Sequence, residues 1–181
     1  AVLDQPVPDD DFTAMRDRLV VAMLYETGIR RAELIGLMDD DVDNIRREMR
    51  VLGKRNKQRI VPYGSELATL IDRWRAVRDT TLGPCHGLPL LLTAQGRPLY
   101  PSLVWHIVHD TLRQAGATGQ SSPHVLRHSY ASALLASGAS LGSVKELLGH
   151  RSLAATQVYT HVTMSELQHN YKQAHPRASK H

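Results

Sequence analysis

One interruption in a helical pattern constrains the fold of this chain more than any other feature. On both sides of residues 42–62, apolar residues recur at the spacing of three and four that is typical of amphipathic helices. Within the interruption, residues 49–52 and 59–61 form two strand-like runs, separated by a basic hairpin turn, Gly-Lys-Arg-Asn-Lys, at 53–57. The pattern predicts an α+β fold that is mainly helical and has a small antiparallel three-stranded sheet.

Acidic residues, glycines and prolines mark the ends of the predicted elements. A first helix follows the acidic residues 9–11 and ends near residue 26, where Thr27 and Gly28 stop it. Residues 83–101 are rich in glycine and proline and contain one further strand candidate, at 90–92. The other helices are predicted at residues 31–37, 65–78, 102–115, 123–137, 143–148, 153–159 and 165–174.

Composition narrows the class of protein. Hydrophobic residues make up 42% and charged residues 22% of the 181 positions, which is typical of a globular domain and excludes wholesale disorder. No apolar run reaches the roughly 18 residues of a membrane span, and no signal peptide is visible. The single cysteine, Cys85, excludes an internal disulfide framework and a cysteine-based zinc cluster. We expect a soluble cytoplasmic domain that has no membrane partner.

Charge is distributed unevenly along the chain. Residues 1–44 contain 11 acidic and 4 basic residues, whereas residues 45–181 contain 7 acidic and 18 basic ones. A basic body of this size suits a polyanion, and nucleic acid is the first partner to consider. A basic surface that only keeps the protein in solution is the alternative, and charge alone does not decide between the two.

Ten histidines raise the question of a metal site. His124 and His128 have the four-residue spacing of a zinc-binding helix, but the sequence between them reads H-V-L-R-H. Val125 stands where a general-base glutamate is needed, and Arg127 would lie beside a dication, so we expect no metal here. His124 and Arg127 instead fall on one helical face, where a cation and a proton-transfer group can grip a phosphate.

Several cationic or proton-transferring side chains stand at the ends of predicted elements. The chain has no G-x-S-x-G serine-hydrolase elbow and no Walker-type phosphate loop. The candidate functional residues that remain are scattered along the chain: Arg30, Lys54, His124, Arg127, His150 and Tyr159. Taken singly, each has an ordinary structural explanation as a surface charge, a turn residue, a helix cap or a core aromatic.

Five short motifs stand in order along the chain. They are T-G-I-R-R-A-E-L at 27–34, G-K-R-N-K-Q-R-I-V-P at 53–62, H-V-L-R-H-S at 124–129, L-L-G-H at 147–150 and T-Q-V-Y-T-H at 156–161. Together they resemble the catalytic domain of tyrosine recombinases, particularly the Xer-type and phage-integrase branch. The resemblance covers residues 10–176 and implies the tyrosine recombinase catalytic-domain fold. The family's hairpin often reads G-K-G-N-K, whereas here Arg55 replaces the middle glycine, which either alters the turn or adds a phosphate contact.

The resemblance implies a site-specific DNA recombinase that cleaves and rejoins strands through a 3′-phosphotyrosyl intermediate. By motif match, the catalytic residues are Arg30, Lys54, His124, Arg127, His150 and Tyr159, with Tyr159 as the nucleophile. The covalent intermediate conserves the energy of the broken bond, so no cofactor is implied.

The family pattern also assigns a role to each matching residue. Arg30, Arg127 and His150 would donate hydrogen bonds to the non-bridging oxygens of the phosphate. Lys54 would protonate the leaving 5′ oxygen, and His124 would assist proton movement.

Two neighbouring residues are expected to support the site. Glu33, the acid of the R-x-x-E spacing, is expected to orient Arg30 or its neighbours. His128 is expected to be a structural histidine that packs beneath the site.

The resemblance implies a domain organisation and partners as well. We expect residues 1–9 to be a linker from a missing N-terminal core-binding domain, residues 10–176 the catalytic domain and residues 177–181 a tail. The expected partner is double-stranded DNA, bound by a homo- or hetero-tetramer on two DNA sites with exchange of the C-terminal helix at 165–174. The role would be chromosome-dimer resolution in cell division, or integration and excision of mobile DNA. A type IB topoisomerase-like enzyme and a non-catalytic DNA-binding domain are the alternatives.

Overall fold

The computed structural model describes residues 6–117, 119 and 121–149. His150, Tyr159 and the helices predicted at 153–159 and 165–174 lie outside the described residues. The helices are α1 (Phe12–Thr27), α2 (Arg31–Gly36), α3 (Ser65–Leu82), α4 (Pro101–Gln114), α5 (Pro123–Ala136) and α6 (Leu141–Leu148). The strands are β1 (Val42–Asp43), β2 (Glu48–Leu52) and β3 (Gln58–Pro62). In the described part of the chain, no helix is both long and apolar enough to span a membrane.

The chain divides into two compact units, the first ending at Arg127 and the second beginning at His128. In the first unit, α1 packs against α3 and α4 and is buried over most of its length, because residues 19–24 are apolar without a break. The Asp11 carboxylate caps its start by accepting from the Ala14 N–H at 2.9 Å. Gly28 ends it in the left-handed conformation, at φ 65°, and donates to the Leu24 carbonyl. The boundaries predicted for this helix are confirmed.

The sheet is three-stranded and antiparallel in the order β1-β2-β3, as predicted. Residues Met49, Val51 and Val61 are buried, while Leu52 and Ile60 on the alternate positions are exposed. One face of the sheet therefore covers the core. The hairpin predicted from the basic turn at 53–57 is confirmed by the pairing of Leu52 with Gln58.

The prediction of a strand at residues 90–92 is wrong. These three leucines are buried, but they form only isolated bridges on either side, Met38 with Pro89 and Leu92 with Pro98. Proline has no N–H to donate, so neither bridge extends into a ladder. The third strand is β1 instead, and the Leu90 carbonyl accepts from the Trp74 indole N–H at 2.8 Å.

Two helix boundaries differ from the prediction by more than one residue. α3 continues four residues past 78 because Arg78 is buried inside the fold, where its guanidinium donates to the Leu90 carbonyl and to Asp39. α6 begins two residues before 143 because the Ser140 hydroxyl caps it by accepting from the Ser143 N–H at 3.1 Å.

The second unit has its own apolar cluster in the described residues. Ala131 of α5 is buried with Val144 and Leu148 of α6, and Tyr130 and Leu134 pack against them.

Candidate active site

Arg30 stands in the tight turn between α1 and α2. Thr27 closes the last turn of α1 by donating its hydroxyl to the Met23 carbonyl at 2.6 Å, and Gly28 then reverses the chain. Ile29 anchors the turn in the core with no exposed surface. Arg30 has extended backbone angles and caps α2, and its side chain remains 27% exposed. The turn is thus fixed from below and presents a guanidinium at the surface.

Glu33 lies under this turn and binds both the backbone and the side chain of Arg30. Its Oε1 accepts from the Arg30 N–H at 2.8 Å and lies 3.6 Å from the Arg30 guanidinium. Burial alone would raise the pKa of the Glu33 carboxyl. Hydrogen bonds from Arg59 and from the Arg30 backbone, with the charges of both arginines, outweigh burial and hold that pKa below its ordinary value. Glu33 is therefore an ionised anchor, and the orienting role predicted for it is confirmed.

Arg127 comes from a segment far away in the sequence and reaches the same turn. It is buried on the first half of α5, and its guanidinium donates to the Gly28 carbonyl. A buried guanidinium needs such acceptors because its N–H groups are costly to leave unpaired. The structure thus places two predicted phosphate ligands on one turn, Arg30 as a residue of it and Arg127 through its backbone.

Lys54 lies at the exposed tip of the β2–β3 hairpin. The tip is a single 3-10 turn, Lys54–Asn56, closed by hydrogen bonds from Gly53 N–H to the Lys57 carbonyl at 2.9 Å and from Lys57 N–H to the Lys54 carbonyl at 3.3 Å. Arg55 occupies the left-handed region at φ 59°. The family's glycine is suited to this conformation, and the arginine adopts it with the turn closed.

Arg59 was not singled out from the sequence, yet it connects this hairpin to the Arg30 turn. It shares the inward side of β3 with Val61 and forms a two-pronged ion pair with Glu33, with Nη2 to Oε1 at 3.1 Å and Nη1 to Oε2. A signal for it was present in the sequence. Strand alternation places this arginine on the same side as a core valine, and a buried arginine requires an acid partner.

His124 lies in the first turn of α5 and is exposed, whereas Arg127 three residues later is buried. The expectation that both occupy one face therefore holds only in part: the imidazole faces solvent and the guanidinium faces the core. His128 is also exposed, so the expectation that it packs beneath the site is wrong. Its neighbours on the helix, Leu126 and Arg127, are buried instead.

Of the six predicted catalytic residues, Arg30 and Arg127 meet at one turn among the described residues. Lys54 lies on the hairpin whose Arg59 binds Glu33 beneath that turn, and His124 lies on α5 three residues before Arg127. His150 and Tyr159 lie outside the described residues. No group of three or more His, Cys, Asp or Glu among the described residues is placed to hold a metal ion.

Comparison with known proteins gives consistent matches. The model of the phage integrase family matches residues 6–166. Tyrosine recombinase XerC of Mycobacterium sp. (strain KMS) is 49% identical over 169 residues, which are 93% of this chain and 56% of that protein. Tyrosine recombinase XerC of Mycobacterium tuberculosis (strain ATCC 25177 / H37Ra) is 45% identical over 179 residues, 98% of this chain and 60% of that protein.

Solved structures agree with these relatives. The crystal structure of XerA recombinase superimposes with a TM-score of 0.78 at 30% identity, covering 91% of this chain and 60% of that one. XerH site-specific recombinase bound to difH substrate, in a pre-cleavage complex, gives a TM-score of 0.77 at 26% identity, covering 92% and 48%. The chain therefore spans about half to three fifths of the length of the relatives it matches.

Proposed function

The chain belongs to the phage integrase family, and from that premise we propose that it is the catalytic part of a Xer-type site-specific DNA recombinase. One structural observation carries the proposal: Arg127 donates to the backbone of the turn that holds Arg30, although the residues it joins are 99 positions apart. A partly exposed and a buried guanidinium at the same turn suit a phosphodiester, because the planar fork of a guanidinium can donate to several acceptors at once, for Arg127 the Gly28 carbonyl and a phosphate oxygen.

In the proposed reaction, Tyr159 is the nucleophile. Its phenolic oxygen forms a bond to phosphorus while the bond from phosphorus to the 5′ oxygen of the DNA breaks. The phenol gives up its proton, which His124 helps to move, and the 5′ oxygen receives a proton from Lys54. A phenol has a pKa of about 10, so it needs neighbouring cations or a base to react at neutral pH.

Arg30, Arg127 and His150 stabilise the transition state in this proposal. Negative charge gathers on the non-bridging oxygens as the tyrosine attacks, and fixed donors aimed at that charge lower the barrier. The two guanidiniums supply the positive charge that a metal ion supplies in many nucleases. The phosphotyrosyl bond keeps the energy of the broken phosphodiester, so the rejoining step requires only a 5′-hydroxyl from a partner strand.

We further propose duplex DNA as the partner, bound by a homo- or hetero-tetramer on two sites with exchange of the helix predicted at residues 165–174. The basic charge of residues 45–181 supports the DNA partner, and so does the similarity to a site-specific recombinase that was solved bound to its difH substrate. A type IB topoisomerase-like enzyme would share the covalent step. The two activities differ in outcome, since a recombinase joins the cleaved strand to a second duplex and a topoisomerase only relaxes supercoils.

The proposal is tested with a nicked duplex from which cleavage releases a short strand that cannot rejoin, so that the covalent adduct accumulates. The duplex is chosen from a random-sequence library by its binding to this chain. We expect the chain and a Tyr171→Phe control to form a protein–DNA adduct that survives denaturation, and Tyr159→Phe to form none. Binding without any adduct in all three proteins would instead support the non-catalytic alternative.

A further inference from the structure

A single buried carboxylate connects two of the proposed catalytic elements. Glu33, with only 5% of its side chain exposed, accepts from the Arg30 N–H through Oε1 and binds the Arg59 guanidinium through both oxygens. Arg59 is itself 11% exposed and is the second residue of β3, two residues beyond Lys57, which closes the Lys54 turn. The turn that carries Arg30 and the hairpin that carries Lys54 thus meet at one ion pair.

Gly53 fits closely over this ion pair. A Cβ at Gly53 would lie 3.4 Å from Arg59 Nη1, 3.5 Å from Glu33 Oε2 and 3.3 Å from the Lys57 carbonyl. The residue before Lys54 therefore lies next to both partners, and a Cβ there would meet them at ordinary van der Waals distance. The ion pair lies at the base of the hairpin tip, and the hydrogen bond from Gly53 N–H to the Lys57 carbonyl closes the turn itself.

The chemistry of the pair indicates a role beyond stability. The inward side of this sheet is otherwise apolar, with Met49, Val51 and Val61 fully buried. An apolar residue in place of a buried ion pair is often neutral or stabilising, because taking two charges out of water offsets most of their attraction. What the two-pronged Arg–carboxylate pair adds is a fixed relative orientation, since its parallel N–H···O bonds tolerate little displacement.

We propose that Arg59 is a positioning residue of the strand-cleavage reaction. Together with Glu33 it holds the Lys54 hairpin in register with the Arg30 turn, so that the proton donor meets the leaving 5′ oxygen of a phosphate that Arg30 grips. This inference rests on the function proposed above. Arg59 touches neither the phosphate nor the leaving group in this role and acts through Lys54.

The test separates the positioning of Lys54 from general damage to the fold. It compares a nicked duplex that has an ordinary 5′ oxygen at the cleaved bond with one that has sulfur there. A thiolate leaves without being protonated, because a thiol has a pKa of about 8.5 and an alcohol a far higher one. Loss of the proton donor therefore slows cleavage of the oxygen substrate and spares the sulfur substrate.

The variants are Arg59→Gln, which removes the charge, and Arg59→Lys, which keeps the charge and loses the paired geometry. Lys54→Ala reports the effect of losing the proton donor outright. The matched control is Arg75→Gln, which breaks another partly buried arginine–carboxylate pair, that of Arg75 Nε with Asp39 Oδ1 at 2.9 Å. The rate of adduct formation is measured with each substrate in a single turnover, together with the unfolding temperature of each variant.

We expect Arg59→Gln to cleave the oxygen substrate about 10- to 100-fold more slowly and the sulfur substrate at nearly the rate of the unaltered chain, as Lys54→Ala does. Arg59→Lys should fall between the two. Arg75→Gln should change both rates by the same factor or leave both unchanged. Equal slowing of both substrates by Arg59→Gln, or no slowing of either, would overturn the proposal.

A second measurement requires no cleavage and keeps the two proposals apart. Hydrogen exchange at the Gly53 and Lys57 amides should become faster in Arg59→Gln and stay unchanged in Arg75→Gln. If the unaltered chain cleaves neither substrate, the proposed function fails, and the exchange rates alone decide whether Arg59 fixes the hairpin. Unchanged exchange in Arg59→Gln contradicts the positioning role in either case.

Discussion

At the scale of single residues, the buried guanidinium of Arg127 has two roles, one structural and one proposed for catalysis. One is structural, the hydrogen bond to the Gly28 carbonyl, and the other is the proposed donation to the phosphate. Lysine keeps the positive charge but loses the planar fork that can serve both acceptors at once.

We predict that Arg127→Ala slows adduct formation by about 10²–10³-fold, because one transition-state donor is lost. Arg127→Lys should recover only part of this loss. Single-turnover adduct formation on the nicked duplex measures both variants, and circular dichroism checks that they fold. A folded Arg127→Ala that reacts at the unaltered rate would contradict the assignment.

Glu26, at the C-terminal end of α1, gives a prediction about pH. Burial and the charge of Glu66 raise the pKa of its carboxyl to about 7, well above the ordinary value of a glutamate. The folded chain therefore holds a proton that the unfolded chain releases between about pH 4.3 and 7, and stability falls as the pH rises through this window.

Glu26→Gln removes this titration. At pH 8 the variant should be more stable than the unaltered chain by about 1–2 kcal/mol, a value that allows for solvent screening, and at pH 4 it should show no such gain. Urea unfolding at the two pH values measures the free energy of unfolding of the variant and of the unaltered chain. An equal change at both would show that the effect is one of packing and not of charge.

At the scale of elements, the β2–β3 hairpin shows what the sequence could predict. Its strands followed from alternation and its turn from the basic Gly-Lys-Arg-Asn-Lys run, and both are confirmed. β1 could not be predicted in the same way, because two residues show no period. The run at 90–92 was misread because buried apolar residues look alike in a strand and in a loop that packs under α3.

In the candidate active site, too, local sequence predicted some features, whereas others depend on contacts between distant segments. Local motifs predicted Arg30, Lys54 and Arg127, but the contacts that link the elements carrying them, those of Glu33 and Gly28, join segments far apart in the sequence. Arg59 was missed because its partner is 26 residues away. His128 was misjudged because a helix face assigned from spacing says little about which side the rest of the fold covers.

The backbone of Arg55 lies in the left-handed region, so a substitution at this position can stabilise the folded protein. An ordinary side chain at φ 59° costs about 1–2 kcal/mol, and glycine does not bear this cost. After the greater entropy of glycine in the unfolded chain is included, Arg55→Gly should raise the free energy of unfolding by up to about 1 kcal/mol. Chemical denaturation measures this change in the free energy of unfolding. Arg50→Gly, in the middle of β2, is the control and should lower stability.

At the scale of the whole molecule, charge governs the proposed binding of DNA. The acidic residues concentrate in positions 1–44 and the basic ones in the remainder of the chain. Contacts from lysine and arginine to DNA phosphates release counterions, so affinity should fall steeply as salt rises. Three neutralised phosphates would give about a 40-fold loss between 50 and 200 mM salt. Fluorescence anisotropy with a labelled duplex measures this, and an affinity independent of salt would contradict electrostatic binding.

The identity of the tyrosine that bonds to DNA tests the central claim most directly. The chain has six tyrosines, and only Tyr159 lies within the motif that matches the family's nucleophile. The trapped adduct is digested with protease and nuclease, and mass spectrometry locates the peptide that retains a nucleotide. We predict that this peptide contains Tyr159 and that the nucleotide is attached through its 3′ phosphate. A nucleotide on another tyrosine, or one attached through a 5′ phosphate, would contradict the account.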